Sequence, residues 1–172
     1  EGVAQSWPDA VLLYRAAAGQ GNAQAQCNLG WCYEFGKGVP QDAKAAARWY
    51  GEAALQRDPR AECCLAICYT NGTGVAADPV RAVQLYPLSA QAGFVPAMRN
   101  LAQMVHLGRG TAKNDEAALA WYQKAAAQDD ARALFMCGQF YEKGFGVAPD
   151  AALAADFYPR AALLNYAPAQ AC

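Results

Sequence analysis

Residues 25–42 read Ala25-Gln26-Cys27-Asn28-Leu29-Gly30-Trp31-Cys32-Tyr33-Glu34-Phe35-Gly36-Lys37-Gly38-Val39-Pro40-Gln41-Asp42, and Ala46, Trp49-Tyr50 and Ala53-Ala54 follow. Ala25, Leu29, Cys32 and Tyr33 keep the i, i+4, i+7, i+8 spacing of one buried helical stripe. Gly36 stops that helix, because glycine readily takes the left-handed conformation that helix C-termini favour. Gly36-Lys37-Gly38-Val39 is then a short turn whose valine tucks back into the core. Asp42 is placed as an N-cap, its carboxylate accepting from the unpaired N–H groups of the next helix. Ala46, Trp49, Tyr50, Ala53 and Ala54 form a second helical stripe. The stretch predicts two antiparallel helices joined by a tight turn.

The same pattern recurs every 36 residues without insertion or deletion. Gly36, Gly72, Gly108 and Gly144 keep this step, as do Gly38, Gly74, Gly110 and Gly146. Tyr14, Tyr50, Tyr86, Tyr122 and Tyr158 form a third column, and Leu29, Leu65, Leu101 and Cys137 a fourth. The N-cap column holds Ser6, Asp42, Asp78, Asn114 and Asp150, each cap contributing about 1 kcal/mol. Gly21, Gly93, Asp129 and Asn165 recur where the second helix ends, and these residue types tolerate positive φ. Helix pairs that cannot bury both faces alone must stack on their neighbours, which makes an α-solenoid.

These residues, with the paired glycines and valine between the helices and a period of 36 instead of 34, resemble the SEL-1-like repeat, a relative of the tetratricopeptide repeats. The resemblance covers essentially the entire chain. It implies an all-α, right-handed α-solenoid forming a single repeat domain over 1–172. The expected divisions are a partial repeat at 1–22 (second helix only), full repeats at 23–58, 59–94, 95–130 and 131–166, and the start of a further repeat at 167–172. Neither end looks like a polar capping repeat, so a fragment of a longer array is expected, with further repeats of the same parent chain as neighbours. The departures are local: Ala66 and Ala102 replace a glycine, Val105 a tyrosine and Thr111 a valine. Pro87 and Pro159 fall inside second helices, where a proline costs about 3 kcal/mol unless neighbours compensate. Pro96 and Pro168 recur with a 72-residue spacing, as those two do.

The composition narrows the function. The chain has 172 residues, a net charge of −1, 55% hydrophobic and 17% charged residues, and 41 alanines. Alanine favours helices and close packing but buries little area per residue. A near-neutral chain without a basic run is a poor nucleic-acid or membrane-surface binder. No apolar run reaches the 18 or more residues that a spanning helix needs.

No constellation for catalysis, metal or cofactor emerges. His106, the single histidine, aligns with Glu34, Thr70 and Glu142, a polar slot expected to be solvated. The Gly-x-Gly segments follow helices instead of strands and recur in every repeat, which fits turns and not phosphate loops. Of the seven cysteines, Cys32, Cys68 and Cys137 read as small buried hydrophobes. Cys27 and Cys63 occupy equivalent slots in adjacent repeats, roughly 8–10 Å apart, beyond the roughly 7 Å limit for a disulfide. Cys64 and Cys68, one turn apart, fit a disulfide badly, and Cys63, Cys64 and Cys68 lack a convincing fourth zinc ligand. A cysteine-rich branch of the resembled family links the two helices of each repeat by a disulfide; here every cysteine falls on a first helix, so that scheme is unavailable. Free thiols and a reducing compartment are favoured over an exported or periplasmic setting.

The resemblance implies a non-catalytic scaffold or adaptor for signalling, quality-control or envelope complexes, or for recognition between bacterial and host proteins. Its protein partner would be gripped, as a peptide or helix, on the concave face formed by the first helices. The positions that vary between repeats there include Cys27, Asn28, Trp31, Glu34 and Phe35, then Cys63 and Ile67, then Arg99 and Gln103, then Arg132, Phe135 and Gln139. Trp31 is not demanded by the repeat, since its counterparts are Ile67, Gln103 and Gln139, and Phe35 lies one turn later. Both are anchor candidates, with packing on a further upstream repeat as the other reading. Arg99 and Arg132 are placed to hold acidic groups. Two rivals stay open: a dedicated inhibitor or immunity protein occluding a toxin or enzyme, and a hydrolase acting through a reactive cysteine.

Overall fold

A computed structural model describes residues 6–164, 166 and 169. The first five residues of the expected partial repeat, the helix end at Asn165 and, apart from Ala169, the opening of a further repeat at 167–172 (with Pro168 and Cys172) lie outside the described residues. The described residues form helices and turns with no strand, and the chain divides into two compact units, Glu1–Ala92 and Gly93–Cys172.

The first unit holds α1 (Trp7–Gly19), α2 (Ala23–Phe35), α3 (Ala43–Leu55), α4 (Pro59–Asn71) and α5 (Pro79–Gln91), the second α6 (Val95–Leu107), α7 (Asp115–Ala126), α8 (Ala131–Lys143) and α9 (Ala151–Leu163). Within each unit every helix packs on the next in chain order, as expected for a helical-repeat solenoid.

Local chemistry explains the boundaries. The side chains of Asp42, Asp78, Asn114 and Asp150 accept from backbone N–H groups of α3, α5, α7 and α9. The first helices have caps of their own, Asn22, Asp58 and Asp130, and α6 alone begins without a side-chain cap, at Phe94. Gly36 closes α2 at φ 64°. The second glycine of the turn answers to a neighbour: a Cβ on Gly74 would lie 2.0 Å from the Ala43 carbonyl oxygen, at the start of α3. Gly38 meets the Trp7 carbonyl and Gly146 the backbone of Asp115 and Glu116 in the same way. These three turns are thus wedged against the N-terminus of the preceding second helix, which is why they need the second glycine.

The core is built by the tyrosine column and alanine. Tyr50, Tyr86 and Tyr122 are buried, with Leu29, Ala46 and Ala53 in the first unit and Leu134, Cys137 and Phe140 in the second. Pro87 and Pro159 sit inside continuous helices. Two residues after Pro87, the buried Ser89 hydroxyl donates to the Pro59 carbonyl at 2.5 Å, tying the end of α5 to the start of α4.

Candidate functional site

In the first unit, the exposed end of α2 carries a ladder of three aromatic rings. Trp31 packs against Trp7 (centroids 5.5 Å) and against Phe35 (5.2 Å). Trp7 is 47% and Phe35 53% exposed, while Trp31 is half-buried between them. Trp31 also packs on the core cluster that includes Val11, Leu29 and Cys32, while the exposed faces of Trp7 and Phe35 suit an anchor. Asn28 and Ile67 are half-buried and take no part in the ladder. Trp7 is absent from the candidates named above; the available signal is its column, where Ala43, Pro79, Asp115 and Ala151 are the counterparts.

Two cysteines placed on the variable face belong elsewhere. Cys27 and Cys63 are each 1% exposed, because their helical positions turn toward the neighbouring helix and away from water. Cys27 is hydrogen-bonded to the Cys64 thiol of α4. Glu34 is also engaged, accepting from the Tyr50 hydroxyl at 2.5 Å.

That last bond explains the polar column of Glu34, Thr70, His106 and Glu142. Thr70 meets the Tyr86 hydroxyl at 3.2 Å, and Tyr158 donates to Glu142 at 2.7 Å. The slot supplies the buried tyrosine with a polar partner across each helix pair. His106 is the exception, and the expectation that it is solvated is corrected: its side chain is 19% exposed and its Nδ1 lies 2.6 Å from Asp115. Its ring packs against Phe140 and Phe145, so the imidazole is held by packing and by an acid from the start of α7.

In the second unit, Arg99, Gln103, His106, Leu107, Tyr122, Arg132 and Met136 line a pocket of about 230 Å³. Arg99 pairs with Asp130 at 2.7 Å, and Asp130 also caps α8 through Ala133 N–H. Of the other candidates, Phe135 packs against Tyr158 and Tyr166, and Gln139 is half-buried outside the pocket lining. No group of three or more His, Cys, Asp or Glu side chains among the described residues is placed to hold a metal ion. No described helix is long and apolar enough to cross a membrane.

Paired helices of twelve or thirteen residues joined by glycine turns define a helical-repeat protein. The chain belongs to the Sel1 repeat family, whose model matches residues 23–58, 59–94, 95–130 and 131–166. Members of this family generally serve as non-catalytic protein-interaction scaffolds. A protective antigen of uropathogenic Escherichia coli with this fold superposes with a TM-score of 0.92 at 32% identity, over 99% of this chain and 36% of that one. The chain thus spans little more than a third of that protein's length. A Sel1 repeat protein of Oxalobacter formigenes gives 0.92 at 30% identity, over 98% and 67% of the two chains. An immunity protein of Pseudomonas aeruginosa shares the fold at a TM-score of 0.61 and 21% identity, over 92% and 59%. No curated protein matches the chain.

Proposed function

We propose that this chain is a non-catalytic interaction module that binds a peptide or helix of a protein partner through the variable faces of its first helices. The observation that carries the reading is the Trp7–Trp31–Phe35 ladder, whose two outer rings are about half exposed while Trp31 joins them to the core. Rings of this kind supply much of the energy of protein interfaces at little entropic cost. In this reading Asn28 of α2 and Ile67 of α4 contribute to the binding face of the first unit, and Arg99, Gln103, Arg132, Phe135 and Gln139 to that of the second.

The test compares capture of partners by the wild-type chain with capture by the Trp31→Ala, Phe35→Ala double variant, with circular dichroism confirming that both are folded. A partner bound by the first and lost by the second supports the reading; equal capture overturns the assignment of the anchor. The stoichiometry separates scaffold from inhibitor: tight one-to-one binding of a single enzyme, with loss of that enzyme's activity, would mark a dedicated inhibitor.

A further inference from the structure

The pocket of the second unit has the chemistry of an anion site that its own residues leave unfilled. Asp130 takes only Nη1 of Arg99, and Arg99 Nε is buried without a hydrogen-bond partner. Arg132, exposed at the rim, has no ion-pair partner among the described residues. Nearby acids are already committed: Asp130 to Arg99 and the α8 cap, Asp115 to His106 and Lys113. Arg99 and Arg132 therefore both line one pocket, and the Asp130 carboxylate pairs with Arg99 alone.

Tyr122 completes the set. In the other three full repeats the equivalent tyrosine hydroxyl meets Glu34, Thr70 or Glu142. In this repeat His106 has turned to Asp115, and the Tyr122 hydroxyl has no hydrogen bond to a described residue. Burial holds its pKa up at about 12 against the pull of the Arg132 and Arg99 charges, so it is a protonated donor at neutral pH. Leu107 and Met136 supply apolar walls. Guanidinium forks and a phenol donor over apolar walls match a carboxylate carried on an aliphatic stem.

We infer that this pocket binds a peptide carboxylate, with Arg132 and Arg99 as its counter-ions and the Tyr122 hydroxyl as a hydrogen-bond donor. The inference rests on the protein-binding reading and specifies the chemistry of the partner: an acidic side chain or a chain-terminal carboxylate.

The experiment is an NMR titration of the full chain with four short N-acetylated peptides. One ends in leucine with a free carboxylate and one is its amide; the other two are amidated and carry a central Glu or Gln. Saturable shifts of α6 and α8 amides with the free-carboxylate peptide but not its amide place a chain terminus in the pocket. The same response to Glu but not Gln places a side chain there. Either result supports the proposal if Arg132→Gln weakens binding about tenfold or more and Tyr122→Phe about threefold or more, both remaining folded. No carboxylate-dependent shift up to about 10 mM peptide, undiminished binding by Arg132→Gln, or equal saturation by inorganic phosphate would overturn it. The Trp31→Ala, Phe35→Ala variant separates the two readings. It is expected to keep the peptide response while losing the partner. If Arg132→Gln instead captures the partner fully and shows no change with peptide, the pocket proposal fails and the interaction module stands.

Discussion

Gly30 on α2 lies so close to Tyr50 on α3 that a Cβ built on it would stand 2.8 Å from the ring. The contact lets the buried tyrosine lie flat against the first helix and reach Glu34 one turn later. Gly138 and Tyr158 repeat it, with a Cβ at 2.6 Å. The slot is nonetheless filled by buried Ala66 and Ala102 in the other two repeats, so a helix pair can open by the few tenths of an ångström that a methyl needs. Gly30→Ala gains about 1 kcal/mol of helix propensity and loses about 1–3 kcal/mol to overpacking. The expected net is a loss of up to about 2 kcal/mol, read from the urea midpoint, and Gly30→Val should cost clearly more.

At Gly74 no such adjustment is open. A Cβ there would run into the Ala43 carbonyl oxygen, and φ is +73°, so strain and backbone clash add. Gly74→Ala is expected to cost at least about 2 kcal/mol. Gly72→Ala, whose Cβ meets the Ala77 side chain at 3.3 Å, should cost less by the same urea measurement. Equal costs would show that only φ matters and that the wedge against α3 contributes nothing.

Glu62 makes stability depend on pH. Its side chain is 3% exposed, with Arg57 at 3.8 Å, and burial outweighs that cation and raises the carboxyl above its ordinary value of 4.5. The folded state therefore holds this proton more tightly than the unfolded state. The group's contribution is full below about 4.5 and is lost as pH rises through the folded value. Thermal unfolding followed against pH should show this decline in the wild type and a flatter profile in Glu62→Gln. Parallel profiles would remove Glu62 as the source.

Among the six described cysteines, Cys64 alone is not buried. The hydrogen bond from Cys27 pulls its thiol down while the same bond, with burial, pushes Cys27 up. Alkylation by iodoacetamide, mapped by mass spectrometry, is expected to reach Cys64 before the other five, and Cys27→Ala should slow it severalfold by removing the donor. A fast Cys64 that slows in Cys27→Ala reports this bond. Unchanged reactivity in Cys27→Ala would show that exposure alone sets the order.

For the aromatic ladder, Trp31→Ala with Phe35→Ala is expected to weaken partner binding by at least about 2 kcal/mol. Trp7→Ala should weaken it less, because that ring contacts Trp31 only from one side. Isothermal titration with a captured partner, alongside circular dichroism, checks both; equal losses would make Trp7 a co-anchor.

Much of the architecture was legible in the residues alone. The 36-residue step in glycine, tyrosine and cap residues determines helix number, length and order, because caps, αL glycines and apolar spacing act within one or two turns of chain. Even so, Arg57 takes the positive φ (63°) shared by Gly21, Gly93 and Asp129, although nothing in an arginine announces it; the helix end imposes it.

What only the tertiary structure decided are the partners. Position 27 in a helical stripe reads as variable surface until α4 arrives and buries it against Cys64. His106 reads as a solvated polar residue until Asp115 and two phenylalanines close around it, which leaves the Tyr122 hydroxyl facing two arginines. Periodicity determines which side of a helix a residue lies on, whereas burial and pairing depend on side chains brought near by a different helix, at separations that no local spacing encodes.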